Sequence, residues 1–240
     1  TVKISGNTII NGSVFGGGSG YYPYETANGR HDWLRSAGTV YGNTNITISG
    51  GHILTGVYGG NETTDVGTYT NNAQCVPVVK ESGGKCTINM TGGTIGVPRT
   101  LAHIAARPIS CCLFGGGKGD HRTYFNTWTN INDVEVNISG GIIYGSVFGG
   151  GEEGHVLRDV EVNISDGAKI GSHGTSGNEG NVFGGGRGYS GMALTAGSTG
   201  GNVTMDITGG KILGSVYGGG RMSSVGIGFT PPEDLYYGHD

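Results

Sequence analysis

An apolar residue followed by an aromatic residue and a run of glycines recurs along the 240-residue chain, and this phrase constrains the fold more than any other feature. Its six copies begin at Val14, Val57, Leu113, Val147, Val182 and Val216, at spacings of 43, 56, 34, 35 and 34 residues. A fixed period of this size, here lengthened in its first two intervals, is typical of proteins that stack copies of one supersecondary unit.

An alternating segment precedes most copies, for example VEVNISGG from Val134 and TNITISGG from Thr44. Alternation of β-branched and polar residues indicates a half-buried strand. Val134, Val136 and Ile138 are therefore expected to face a core, while Glu135 and Asn137 face water. No unit has a convincing helical period.

Each unit is predicted to contain a strand, a Gly-Gly turn, a short second strand of the form Ile-x-Gly-Ser-Val-Phe, a glycine triplet and a polar loop. One copy has too little apolar surface to fold alone, so in-register stacking is expected. We predict an all-β chain: a single parallel β-solenoid of about six coils with loop insertions, right-handed by the crossover preference. The repeat domain spans 1–229, and 230–240 forms a C-terminal cap or a linker.

Glycine fits the corners of a narrow coil, where positive φ and close backbone approach are expected. The aromatic residues before the glycines should then stack into a column as an internal or corner ladder. The alternative is an exposed strip that stacks on sugar rings. The six residues are Phe15, Tyr58, Phe114, Phe148, Phe183 and Tyr217.

The residues after the triplets should line up along one edge as a structural ladder, since opposite charges alternate over Lys118, Glu152 and Arg187. Ser19 and Arg221 extend this edge. Its alternative role is to bind an anionic glycan.

The repeats GGIIYGSVFGGG and GGKILGSVYGGG resemble the glycine-rich repeats of secreted or surface-attached bacterial β-solenoid proteins of the adhesin and autotransporter-passenger type, especially those of gut anaerobes. The resemblance covers the repeats but not the inserts. It implies a secreted or cell-surface location and identifies no catalytic residues.

Two inserts combine aromatic rings with charged and imidazole side chains, as carbohydrate-binding grooves do. They are YYPYETANGRHDWLR, from Tyr21, and GDHRTYFNTW, Gly119 to Trp128. The alternative is that these aromatics pack over the side of the solenoid. The predicted ligand-binding residues are Tyr21, Tyr22, Tyr24, His31, Asp32, Trp33, Arg35, Asp120, His121, Arg122, Tyr124 and Trp128.

Three functions are compatible with these features. The first is a structural or adhesive module whose loops bind a glycan or a host or cell-surface protein. The second is a polysaccharide lyase or glycoside hydrolase on a β-helix, for which a further polar cluster could supply acid and base groups. The third is a self-assembling filament, because both ends of a solenoid expose strand edges. We expect the first of these functions and no enzyme activity. The polar cluster of the lyase or hydrolase alternative comprises Glu152, Glu153, His155, Arg158 and Asp159.

Composition excludes other classes. With a formal charge of −4 and no run of Lys or Arg, the chain lacks the clustered cations that nucleic acid requires. No apolar stretch reaches the roughly 18 residues of a membrane span.

No metal motif or cofactor is predicted. Calcium is the weaker alternative to an Asn/Thr hydrogen-bond ladder at the outward strand positions Glu135, Glu161, Asp206, Asn137 and Asn163.

Four cysteines, Cys75, Cys86, Cys111 and Cys112, fall in the long second interval, between Val57 and Leu113. They allow three disulfide pairings, which would suit an oxidising compartment, or they are buried free thiols. Cys86 takes an inward strand position.

Overall fold

The computed structural model of the chain describes residues 1–20, 37–68, 79–98, 111–119, 129–172, 179–188 and 195–227. In these ranges the protein is all-β and contains no helix, so no described helix could cross a membrane. Its strands are β1 (Val2–Ile4), β2 (Ile9–Ile10), β3 (Val14–Phe15), β4 (Thr44–Ile53), β5 (Val57–Tyr58), β6 (Lys85–Ile95), β7 (Leu113–Phe114), β8 (Asn130–Ile131), β9 (Asp133–Ile143), β10 (Val147–Phe148), β11 (His155–Val156), β12 (Val160–Ile164), β13 (Ala168–Ile170), β14 (Val182–Phe183), β15 (Val203–Ile207), β16 (Lys211–Ile212) and β17 (Val216–Tyr217).

The strands form three sheets, and every pairing between named strands is parallel. The long-strand sheet has the order β1-β4-β6-β9-β12-β15, with β2 beside β4 and with β13 between β9 and β16. The short-strand sheet has the order β3-β5-β7-β10-β14-β17. In the third sheet β8 pairs with β11. Isolated parallel bridges add to the pairing, such as Val40 to Val66 and, from β11, Val156 to Thr199.

The repeats pair in chain order and in register, as predicted. In the short-strand sheet the first residues of the six glycine phrases are consecutive partners, from Val14 opposite Val57 to Val182 opposite Val216. In the long-strand sheet the inward position of Val134 pairs with Cys86 on one side and Val160 on the other. Equivalent residues therefore form columns that cross the sheets.

The core lies between the three sheets. Val134, Val136 and Ile138 are buried in it, whereas Glu135 and Asn137 between them are partly exposed, which confirms the predicted faces. The short strands and the third sheet contribute residues such as Val147 and Val156 to the same cluster.

The Gly-Gly pair does not make the predicted turn in β4, β6 and β9. These strands continue through the pair, with register shifts beside it in the β4–β6 and β6–β9 ladders. The second glycine has positive φ, 89° at Gly141, which a residue without a Cβ adopts easily. The predicted second strand is also divided, because Ile143 ends β9 and Val147 begins β10 in another sheet.

At the glycine triplets glycine is needed because the backbone of the next repeat approaches closely, as predicted. The other part of the prediction, positive φ at these positions, is wrong. A Cβ on Gly149 would lie 2.1 Å from the carbonyl oxygen of Gly184 in the next repeat, and one on Gly59 would lie 2.0 Å from that of Gly115. Among the glycines of the described ranges, positive φ occurs only outside the triplets. The first glycine of each inner triplet is thus fixed by its neighbour along the stack.

Candidate functional site

The twelve predicted ligand-binding residues all lie outside the described residues, in 21–36 and 120–128. Their role remains a prediction. The described residues contain four other polar or aromatic arrangements, and each can be assessed as a candidate site.

The first arrangement is the aromatic column, which lies on the face of the short-strand sheet opposite the aliphatic core. Consecutive rings stack with centroids 4.6 to 5.2 Å apart and planes within 9° of each other. The predicted ladder is confirmed. The alternative of an exposed sugar-binding strip is wrong for its buried members, Tyr58, Phe114, Phe148 and Phe183.

Tyr58 shows how the column accommodates a hydroxyl group. Its Oη donates a hydrogen bond to Glu152 Oε2 at 2.5 Å, and both residues are buried. Burial, followed by the charge of Glu152, raises the pKa of Tyr58 well above its usual value. The hydroxyl therefore has an internal partner and is not directed to a ligand.

The second arrangement is the charge ladder, which comprises Ser19, Glu62, Lys118, Glu152, Arg187 and Arg221; its bridges are parallel except that Lys118 forms an antiparallel bridge with Glu153, next to Glu152. Glu62 accepts hydrogen bonds from Ser19 Oγ at 3.0 Å and from Lys118 Nζ at 2.9 Å. Sequence reasoning missed Glu62 because Asn61 replaces the third glycine of its repeat. Alignment of VYGGNE with VFGGGE would have found it.

The inner part of the charge ladder is buried, which differs from a solvated edge. Arg187 Nη1 lies 3.7 Å from Glu152 Oε1 and 3.9 Å from Glu153 Oε1, and the three side chains are at most 11% exposed. A buried guanidinium needs carboxylate counterions. These two glutamates therefore act as internal ion-pair partners and present no open acid and base pair to a polysaccharide.

Arg221 at the end of the ladder has a like-charged neighbour, because it pairs with Arg187. Burial, followed by the charge of Arg187, lowers the pKa of Arg221. The alternation of charge predicted for Lys118, Glu152 and Arg187 thus ends at this position.

The third arrangement is a buried polar network beside the third sheet. Lys80 Nζ lies 2.8 Å from Asp65 Oδ2, and neither side chain is exposed. Asp65 Oδ1 accepts hydrogen bonds from the backbone N–H of Asn130 at 2.8 Å and from its Nδ2 at 3.0 Å. Asn130 Oδ1 lies 3.1 Å from Nδ1 of His155, and His155 Nε2 lies 3.0 Å from the hydroxyl of Thr195.

This network defines the protonation of His155. Because an ionised carboxylate only accepts, Asn130 uses its Nδ2 for Asp65, so its Oδ1 accepts a hydrogen bond from Nδ1 of His155. Burial lowers the pKa of His155 to about 3, so the imidazole is neutral at pH 7.

Of the other residues in the predicted polar cluster, Arg158 pairs with Asp133, and the carboxylate of Asp159 accepts a hydrogen bond from the backbone N–H of Asn202.

The fourth arrangement is the outward face of the long-strand sheet. Asn163 Nδ2 donates to Asn137 Oδ1 at 2.9 Å, and Asn137 Nδ2 donates to Asn89 Oδ1 at 3.0 Å, which confirms the predicted hydrogen-bond ladder. Glu135 accepts from Asn137 and pairs with Lys85, whose hydrogen bond lowers the pKa of Glu135. Among the described residues, no group of three His, Cys, Asp or Glu side chains could hold a metal ion.

Cys86, Cys111 and Cys112 are all buried, and Cys86 has a free thiol. Burial in the aliphatic core raises the pKa of Cys86 to about 12, so this thiol stays protonated. The disulfide alternative is therefore wrong for Cys86. Cys75 lies outside the described residues.

Comparison with known proteins gives no relative. No family model, no curated protein and no solved structure matches the chain.

Proposed function

We propose that the protein is a structural or adhesive module of the secreted or cell-surface type. It is a single right-handed β-solenoid of about six coils over residues 1–229, with 230–240 as a cap or linker. The inserts at 21–36 and 120–128 bind a glycan or a surface protein. The observation that carries this proposal is the in-register pairing of six repeats in two sheets, which gives a regular scaffold from which inserts emerge at equivalent positions.

The chemistry of the described polar groups supports a scaffold. Glu152 is paired with Tyr58 and Arg187, and Asp65 with Lys80 and Asn130. Side chains held in this way cross-link repeats, since their partners belong to other strands or connecting segments. A ligand would have to break these pairs, so the inserts are the better place for recognition.

A glycan array probed with the whole chain tests the proposal. We expect binding that Trp33→Ala or Tyr22→Ala weakens at least about fivefold, because stacking on a ring contributes about 1 kcal/mol per contact. Tyr41→Ala is the matched control, since Tyr41 is an exposed tyrosine of the scaffold, 62% accessible. Equal losses in all three variants would contradict binding by the insert.

A parallel assay measures the release of reducing or unsaturated ends from every polysaccharide that binds. We expect binding without product. Turnover that His31→Ala or His121→Ala abolishes would replace the adhesive proposal with the lyase or hydrolase alternative. Absence of binding to both glycans and surface proteins would reduce the proposal to a purely structural role.

A further inference from the structure

The first and sixth repeats each have a side with no neighbouring repeat among the described residues. β1 and β15 are the outer strands along the long-strand sheet, and β3 and β17 are those of the short-strand sheet. Unpaired parallel edges are templates for further pairing. On the sixth repeat this open side exposes six large apolar residues, between 36% and 61% accessible: Ile207, Val216, Tyr217, Met222, Val225 and Ile227.

The open sides of the first and sixth repeats expose opposite surfaces of a repeat. A Cβ on Gly16 or Gly149 would meet the carbonyl oxygen of the following repeat, so these positions face toward the sixth repeat. At the sixth repeat the short strand has no such cover, and Val216 is 49% exposed. Its counterpart in the first repeat, Val14, is covered by the second repeat and is 7% exposed. The sixth repeat thus exposes the surface with which each inner repeat contacts the following repeat. The first repeat exposes the opposite surface, with which each inner repeat contacts the preceding repeat.

Gly218 supports this reading. No described atom lies within 4 Å of a Cβ built on Gly218, so the described chain gives no steric reason for glycine there. The equivalent Gly184 would place its Cβ 2.7 Å from the carbonyl oxygen of Gly218. A further repeat stacked on the sixth would give Gly218 the same close contact.

The columns match across the two ends. Extending each column by one repeat places Ile10 of a second copy beside Ile212, Val14 beside Val216 and Phe15 beside Tyr217. Comparable neighbours already pair inside the chain. Val182 lies opposite Val216, and Phe15 stacks on Tyr58 at 4.9 Å.

One column adds charge complementarity. Along the outward face of the long-strand sheet, register connects Lys3, Thr47, Asn89, Asn137, Asn163 and Asp206 in that order. This column has a cation at one end and an anion at the other, and both are exposed. A second copy in the same register would place its Lys3 beside Asp206, where opposite charges attract.

We propose that the protein assembles head to tail, with the first repeat of one copy stacked on the sixth repeat of the next. The contact continues the parallel sheets, the aromatic column and the outward polar column. Because the two surfaces differ, the interface is heterologous and generates open filaments. The proposal depends on the stacked repeats and not on ligand binding by the inserts.

Sedimentation of the whole chain over a range of concentrations tests the assembly. We expect a series of oligomers whose mean size grows with concentration. Gly218→Ala should lower the association constant at least about tenfold, because a methyl group would meet the carbonyl of the incoming copy. Ser139→Ala is the control, since Ser139 is exposed on β9, which lies between β6 and β12 in the long-strand sheet and away from both ends. A chain that stays monomeric at every concentration would overturn the proposal.

Charge reversal tests the register. Lys3→Asp and Asp206→Lys should each lower the association constant by about tenfold at low salt, and the double variant should recover to within about threefold of the original protein. Both side chains are exposed, so circular dichroism should show unchanged folding. Failure of the double variant to recover would exclude this register.

A mixing experiment separates head-to-tail stacking from symmetric pairing of like ends. One copy carries Gly218→Ala, and the other carries Lys3→Asp with Ile9→Lys, because the same register places Ile9 of the second copy beside Lys211. Each copy alone should be monomeric, and the mixture should give a 1:1 dimer that grows no further. Self-association of the Gly218→Ala copy as strong as that of the original protein would contradict head-to-tail assembly.

Discussion

The fourth and sixth repeats have nearly the same sequence, GGIIYGSVFGGG and GGKILGSVYGGG, in different surroundings. Phe148 in the fourth repeat is 1% exposed, whereas Tyr217 at the same position of the sixth is 46% exposed. The fourth repeat has a neighbour on both sides, and the sixth has one among the described residues. Burial in this fold therefore depends on position in the stack as well as on the residue, and identical substitutions should have unequal effects.

The aromatic column should show the largest inequality. Phe148→Ala removes a ring stacked on both Phe114 and Phe183, so it should lower the free energy of unfolding by about 4 kcal/mol. Tyr217→Ala removes a half-exposed ring stacked only on Phe183 among the described rings, and should cost less than about 1 kcal/mol. Urea unfolding of the two variants under monomeric conditions measures both values. Equal losses would contradict the dependence on position.

The glycine triplets give the second contrast. Gly149→Ala should destabilise the protein by about 3 kcal/mol, because the new methyl group meets the backbone of the next repeat. Gly218→Ala should leave the free energy of unfolding within about 0.5 kcal/mol, since its Cβ meets no described atom. Thermal melting at low protein concentration compares them. A large loss for Gly218→Ala would show that this position is packed inside the monomer.

His155 gives a pH-dependent contrast between the same repeats. Its pKa is about 3 in the folded protein and near 6.5 when unfolded, so its stabilising contribution is complete above pH 6.5 and is lost as pH falls toward 3. Between pH 7 and pH 5 the free energy of unfolding should fall by about 2 kcal/mol from this group alone. His155→Gln should remove that loss when unfolding is measured at both pH values.

The control for this pH effect uses the sixth repeat. Ser224 occupies the position equivalent to His155, as the bridges Val156 to Thr199 and Thr199 to Val225 show, and it is exposed. Ser224→His should therefore add no comparable pH dependence. A pH dependence in Ser224→His as large as that of His155 would mean that burial is not the cause.

Much of the fold could be predicted from the sequence because the repeats are local and periodic. Alternation at Val134, Val136 and Ile138 gave the buried face, and equal spacing gave the register of the later repeats. The Gly-Gly pair was misread because positive φ at Gly141 serves equally well in a turn and in a bend within a strand. Sequence alone does not distinguish these two uses of glycine.

The buried polar network could not be predicted, because its members are not related by the period. Lys80 follows an irregular insert, Asp65 and Asn130 follow different phrases at different distances, and His155 looked like part of a surface cluster. Only the fold brings Lys80 and Asp65 to 2.8 Å. The ligand-binding residues predicted in the inserts remain predictions for the same reason, since no repeat fixes their positions.

The charge ladder should give the smallest contrast between the two repeats. Glu152→Gln keeps an acceptor for the Tyr58 hydroxyl but removes one of the two carboxylates near Arg187, so it should cost about 1.5 kcal/mol. Arg221→Gln, at the equivalent position of the sixth repeat, removes a like charge beside Arg187 and should therefore cost less than Glu152→Gln, under about 1 kcal/mol. Urea unfolding at low and high salt compares the variants, and the cost of Arg221→Gln should rise at high salt, where the like charge that it removes is already screened. Destabilisation by Arg221→Gln that exceeds the effect of Glu152→Gln would show that Arg221 has a stronger stabilising role than its like-charged neighbour implies.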